Sequence, residues 1–286
     1  MTTPLTASSA VPLAQRGPQE QHKDEPILLR ERAGPVALLV LNRPAARNCL
    51  SEALIAELHA ALDAIRDDAS VRAVVIAANG PAFSSGHDLK ELTARRSDAD
   101  GGRAYFAHLM NACSAAMQAI VRLPKPVVAA VQGIATAAGC QLVASCDLAV
   151  ASERATFATP GVDIGLFCST PMVALTRNVP RKHAMHMLLT GEPVTAETAR
   201  AMGLVNLVAA PGTEREIAVE LAAKVARKSA HTVRIGKEAF YRQAEMSLAD
   251  AYRYAAEVMT ENMMARDAAE GISAFIEKRT PTWDDR

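Results

Sequence analysis

Apolar positions along this chain follow two periods that alternate. Val36–Leu41, Val71–Ala77 and Val127–Val131 are continuous or nearly continuous apolar runs of strand length, and Asp147–Ala151 reads as a further strand. Unbroken runs of this kind suit strands buried on both faces. Residues 27–32 predict another strand, joined to Val36–Leu41 by a short turn at Ala33-Gly34. After Ser51, a fitting N-cap with Glu52 in the first turn, Leu54, Ile55, Leu58, Leu62 and Ile65 recur at helical spacing. Tyr105, Leu109 and Cys113, with Phe106, Met110, Met117 and Ile120, mark a long amphipathic helix that stops before Pro124 and Pro126. Ala135–Ala144 reads as a short helix of small residues. Asn79-Gly80-Pro81 and Gly133 break the pattern, and Ser97–Gly102 is polar and reads as a mobile loop. The last third shows few strand signals and predicts helices near 182–190, 196–203, 213–228, 233–246, 248–265 and 267–277.

Strands alternating with helices over 36–151 predict right-handed βαβ units. The expected organisation is a flexible leader over 1–26, a mixed α/β core over 27–190, and a helical C-terminal part over 191–286. Composition narrows the function. Lys and Arg number 31 and Asp and Glu number 31, so the 286-residue chain carries no net charge to hold a polyanion, and a nucleic-acid partner is not expected. Half the residues are hydrophobic but only 4% are aromatic, so the core must rest on Ala, Leu, Ile, Val and Met. No apolar run approaches the ~18 residues that span a bilayer, so no membrane partner is expected. The leader lacks the apolar stretch of a signal peptide, and its acids Glu20, Asp24 and Glu25 argue against a transit peptide. A cytoplasmic placement is expected, or the mitochondrial matrix in a eukaryotic cell. The five cysteines, Cys49, Cys113, Cys140, Cys146 and Cys168, form no disulfide framework by spacing. His183 and His186 lack a third ligand, so no metal site is expected. Dinucleotide, triphosphate, zinc-protease and serine-hydrolase motifs are all missing.

Two segments carry candidate chemistry. Ser84-Ser85-Gly86-His87 and Ala135-Thr136-Ala137-Ala138-Gly139 each follow a strand and enter a helix. Small residues there admit a ligand close to the backbone, and first-turn amides have no internal partner. Side by side, such turns could aim two N–H groups at one developing oxyanion. They could equally be tight packing turns.

Leu41-Asn42-Arg43-Pro44 with Asn48, Phe83-Ser84-Ser85-Gly86-His87-Asp88-Leu89-Lys90, Ala137-Ala138-Gly139-Cys140-Gln141-Leu142, Cys146-Asp147-Leu148-Ala149, Phe157-Ala158-Thr159-Pro160 and Ala201-Met202-Gly203-Leu204-Val205 stand in one order. In that order the chain resembles the enoyl-CoA hydratase/isomerase (crotonase) superfamily over about residues 27–280, and looks closest to its enoyl-CoA hydratase domain-containing protein three subgroup. The resemblance implies an α/β fold: a spiral of ββα units with a C-terminal helical trimerisation region, assembled as a homotrimer or dimer of trimers. It implies an enzyme of lyase or isomerase type in fatty-acid metabolism, with a coenzyme A thioester as substrate or ligand and no other cofactor. The backbone N–H groups of His87 and Ala138 match the oxyanion-hole positions, with the His87 ring expected to face outward. Arg47, Ser85, Lys90 and Lys278 match or suit contacts to coenzyme A.

Hydratases of this superfamily use two glutamates around a water. The matching positions here are Gln141 and Gly161, and neither can titrate. General acid–base groups contribute about 10²–10⁴-fold each, so ordinary hydration is not expected. Asp163 and Ser169 are the candidate substitutes. Asp163 would share a face with residue 161 only in a strand. The alternative is a family member that binds acyl-CoA without turnover.

Overall fold

The computed structural model describes residues 25–285, so the 1–26 leader falls outside the described residues except for its last two. β1 (Leu28–Ala33) and β2 (Val36–Leu41) form an antiparallel pair around Gly34, whose φ is +58°. A 3-10 turn at Pro44–Ala46 leads to α1 (Glu52–Arg66), and the Ser51 hydroxyl caps it by accepting from the Leu54 amide. Then a unit repeats. β3 (Ala73–Ala78) and β4 (Ala82–Ser84) precede α2 (Leu89–Ala94) and α3 (Arg103–Arg122). β5 (Val127–Val131) and β6 (Ile134–Thr136) precede α4 (Ala138–Ser145). β7 (Leu148–Ser152) and β8 (Thr156–Ala158) precede α5 (Ser169–Leu175). α6 (Arg181–Thr190), β9 (Val194–Thr195), α7 (Ala196–Ala201) and β10 (Leu207–Ala209) follow, then α8 (Glu214–Ala226), α9 (Ala230–Gln243), α10 (Leu248–Met264) and α11 (Arg266–Glu277).

In each unit the first strand enters a large sheet and the second a small one. The large sheet runs β1-β2-β3-β5-β7-β10 and is parallel from β2 onward. The small sheet runs β4-β6-β8-β9, with only β9 antiparallel. This is a spiral of ββα turns. Successive side chains on the large sheet serve two cores. Leu39, Leu41, Val74 and Ile76 pack under α1, α3 and α4, while Leu38, Val40, Val75 and Val128 face the other way. Ala218, Ala222 and Ala226, spaced by one helical turn, seat α8 on that second face.

Three expectations change. The helix expected over Ala135–Ala144 begins only at Ala138, because Ile134–Thr136 is β6 and Ala137 holds φ +50° and ψ −118°. The three-residue strands β4, β6 and β8 are too short to show a period of two. The core does not end at residue 190: β9 and β10 complete the two sheets, and α8 closes the second core. The segment before α3 takes a 3-10 turn at Arg95–Ser97, then Asp100 accepts from the Gly102 and Ala104 amides.

Two polar latches tie the last helices to this core. Lys237 of α9 reaches Asp147 at 2.7 Å, and Tyr241 donates to the same carboxylate at 2.8 Å. Asp267 is buried and accepts from the amides of Asp284 and Asp285, while Asp285 pairs with Arg72. Large apolar side chains remain exposed on α9–α11, among them Phe240, Tyr252, Met259 and Phe275. Among the described residues no helix is long and apolar enough to cross a membrane.

Candidate active site

The site is built on a scaffold formed by the loop after β2. Asn48 is fully buried; its Oδ1 accepts from the Arg43 amide at 2.7 Å, and its Nδ2 donates to the Asn79 and Ala82 carbonyls, each at 2.8 Å. Arg47 and Asn48 both take left-handed φ values, 51° and 50°, a conformation asparagine tolerates better than most residues. This places the Arg47 carbonyl to accept from the Ser85 amide at 3.0 Å, and the Leu50 amide to donate to the Gly86 carbonyl at 2.7 Å. Arg43 pairs with Asp88 at 3.2 Å and donates to the Cys49 carbonyl at 2.8 Å. The Cys49 thiol donates to Asp88, and burial together with that bond pushes its pKa up to about 11. Burial alone would raise Asp88, but its bonds to Cys49, Arg43 and the Lys90 amide outweigh burial and hold the carboxyl below its usual range. The turn at 84–88 is thus fixed from one side.

From the other side comes the turn between β6 and α4. The Ala137 amide donates to the Ala158 carbonyl at 2.9 Å, and the residue's uncommon dihedrals swing the chain directly into α4. The two turns touch through glycines. A Cβ on Gly86, whose φ is +88°, would lie 2.9 Å from the Ala137 Cβ and 3.4 Å from the Ala138 nitrogen. A Cβ on Gly139 would lie 2.3 Å from the Ser84 carbonyl oxygen. Among the described residues, neither the His87 amide nor the Ala138 amide has a hydrogen-bond partner. The two candidate N–H groups therefore belong to turns in direct contact.

The His87 ring does not face outward as expected. Both nitrogens are shielded from solvent and neither meets hydrogen-bond geometry; burial holds the imidazole below its usual pKa, with the Leu50 backbone near enough to the ring to oppose it in part. Gln141 sits in the first turn of α4, 5% exposed, with its Oε1 buried and unpartnered. Gly161 has no room for a side chain. A Cβ there would meet the Leu166 carbonyl at 2.7 Å and the Cys168 Sγ at 3.0 Å, because the Leu166 amide bonds back to the Gly161 carbonyl at 2.8 Å. The chain at 166–168 occupies the space a residue-161 side chain would need.

The proposed substitutes are not gathered there. Asp163 lies in a 3-10 turn over Pro160–Ile164, not in a strand, so it does not share a face with residue 161; it is exposed, with its carboxylate against Gly191. Ser169 opens α5, exposed, and donates to the Phe167 carbonyl. Cys140 and Cys168 are buried thiols; burial pushes Cys140 up to about 12 and raises Cys168. Ser85 lies within the 84–88 turn, and Arg47 and Lys90, both exposed, flank it. Lys278 ends α11 in a left-handed conformation, on an element packed against α9 and α10. The Arg43–Asp88–Cys49 group is new; the sequence offered Arg43 and Asp88 only as parts of matching segments and Cys49 only as one of five cysteines.

Comparison with known proteins settles the family. The enoyl-CoA hydratase/isomerase family model matches residues 31–286. The chain belongs to this family. Within it, the chain is 46% identical over 263 residues to the mitochondrial enoyl-CoA hydratase domain-containing protein 3 of Xenopus laevis, covering 92% of this chain and 87% of that one. Against the Homo sapiens protein of the same name the identity is 47% over 245 residues, covering 86% and 79%. A crystal structure of an enoyl-CoA hydratase from Mycobacterium smegmatis superposes with a TM-score of 0.86 at 52% identity, covering 91% of this chain and 99% of that one. The human domain-containing protein 3 crystal structure gives 0.85 at 44% identity, covering 90% and 100%. Family membership thus stands on sequence and on fold.

Proposed function

We propose that this chain binds an acyl-CoA thioester and polarises its carbonyl between the backbone N–H groups of His87 and Ala138. The observation that carries this reading is the glycine-tight contact of the two turns, with both amides unpartnered. Donors held in place before the charge develops need not reorganise, and they favour an enolate over the neutral thioester. Arg47, Ser85, Lys90 and Lys278 are the proposed contacts to coenzyme A, with basic side chains meeting phosphates. The exposed apolar faces of α9–α11 support a homotrimer or dimer of trimers. A cytoplasmic enzyme, or one of the mitochondrial matrix in a eukaryotic cell, is the corresponding placement. The direct test is the spectrum of bound 4-(dimethylamino)cinnamoyl-CoA. Polarisation of its thioester is expected to move the absorbance to longer wavelength, and an unshifted spectrum at saturation would refute the reading.

Hydration by two carboxylates is not the reaction this site supports. Gly161→Glu is expected to melt at a lower temperature and to gain no crotonyl-CoA hydration, because its Cβ meets backbone at 2.7 Å. Hydration by this variant, followed by loss of the conjugated absorbance, would show that the 166–168 turn yields easily. The same two positions favour a second reading, binding without turnover. A wild-type protein that shifts the chromophore yet transforms no acyl-CoA would be its signature.

A further inference from the structure

We propose that the His87 imidazole moves the proton at the acyl α-carbon beside the bound thioester. This rests on the preceding reading of the two amides. The ring belongs to the residue that supplies one of them, so it lies within a side chain's length of whatever that amide binds. Both ring nitrogens are buried and unpartnered, and so is the Gln141 Oε1 on the first turn of α4. Buried polar atoms of this kind call for a partner from a ligand or a water. Gln132 and Thr159 also carry such an atom, but of the four side chains only His87 belongs to one candidate turn and only Gln141 to the first turn of the helix that the other opens. Only the imidazole of this pair takes up a proton near neutrality. Its competitors are badly placed: Asp163 and Ser169 are exposed, and Cys140 and Cys168 stay protonated.

The chemistry balances without a further reactant. The neutral ring accepts the α-proton at its unprotonated nitrogen. The C–H electron pair becomes the enolate double bond, and the charge arrives on the thioester oxygen. The imidazolium then returns a proton to carbon. Burial, partly opposed by the Leu50 backbone beside the ring, keeps the imidazole neutral at pH 7. Proton transfer should therefore be level near neutrality and fall as acid charges the ring. The charged and titratable groups on the elements next to this loop in the chain or bonded to it are Asp88 and Lys90 on the loop itself, Arg43, Arg47 and Cys49 on the scaffold loop, Glu52 on α1 and Glu91 on α2, with Tyr105 and His108 on α3 beside Glu52 and Glu91; none of them exerts a charge effect that shifts the ring. The Thr136–Gly139 turn carries none. Asp88 is held low and Cys49 high, so neither titrates with the ring. His108 pairs with Glu52 at 3.1 Å on the surface and serves as the control.

The experiment incubates the full chain with butanoyl-CoA in D2O and reads deuterium in the recovered acyl group by mass. Wild type is expected to exchange. His87→Gln should exchange on the order of 10²-fold more slowly or worse. It should keep the chromophore shift, because its backbone N–H is unchanged. The fall in acid should vanish from its residual rate, while His108→Gln keeps wild-type exchange and its acid limb. Exchange by His87→Gln within a few-fold of wild type, an acid limb that survives it, or a chromophore shift with no wild-type exchange would each overturn the proposal. An unshifted chromophore in wild type would instead overturn the thioester reading. If His87→Gln loses the shift, added imidazole decides with His87→Ala: restored exchange supports the proposal, and none overturns it.

Discussion

Gly139→Val leaves no stable native protein, and Gly139→Ala loses on the order of 3 kcal/mol together with the chromophore shift: these are the expected results. The added Cβ would stand 2.3 Å from the Ser84 carbonyl oxygen and 2.9 Å from the Ser84 carbonyl carbon. Both are backbone atoms, so no rotamer change relieves the contact. Nor is Ser84 free to retreat. β4 is paired with β6, the Ala82 carbonyl is held by Asn48, and Ser85 bonds to the Arg47 carbonyl. The strain can relax only by parting α4 from β4. That movement separates the amides of His87 and Ala138, so the stability loss and the binding loss share one cause. Gly86→Ala should do the same more mildly, through a positive φ and a 2.9 Å approach to the Ala137 Cβ. Urea midpoints and the bound chromophore spectrum measure both effects. A Gly139→Ala protein with wild-type values of each would mean the turns have slack, and would remove the argument for preset donors.

Breaking the Asp147–Lys237 latch is expected to have the other large effect. The Lys237 side chain is 8% exposed and its ammonium lies 2.7 Å from Asp147. It also donates to the carbonyls of Ile120 and Lys125, while Asp147 accepts from the Val127 amide and the Tyr241 hydroxyl. Burial lowers the Lys237 pKa and Asp147 pulls it back. Asp147→Ala would leave a buried ammonium without its counter-ion, at a cost of about 3–5 kcal/mol. For a chain of this size that is roughly 10 °C in melting temperature. Lys237→Met should cost a similar amount by stranding the carboxylate. The double variant should cost clearly less than the sum, because removing both charges strands neither. Strict additivity in urea unfolding would show that the two groups do not depend on one another. Since α9 hangs on this latch, the singles should also loosen the exposed apolar helices that the proposed trimer needs.

Much of this was legible in the residues. The strands of the large sheet were visible because both faces are buried, which leaves unbroken apolar runs. The long helices were visible because one face packs and the other does not. The small sheet was illegible: a three-residue strand shows no period, and its pairing is fixed by partners far along the chain. The end of the core was misplaced for a related reason. Ala218, Ala222 and Ala226 carry too little hydrophobic signal to reveal that α8 seals the second face.

The candidate site divides in the same way. The sequence by itself determined the family, the two small-residue turns and the absence of a titrating group at positions 141 and 161, since these depend only on which side chains exist. Only the tertiary structure decided that the turns touch through Gly86 and Gly139, that the chain at 166–168 fills the space beside Gly161, and that Asp163 and Ser169 lie exposed. It alone turned the His87 ring inward and joined Arg43, Cys49 and Asp88 into one support. Most of those are statements about where segments remote in sequence come to lie against one another. Placement of that kind is set by packing and backbone closure, which no local pattern of residues encodes.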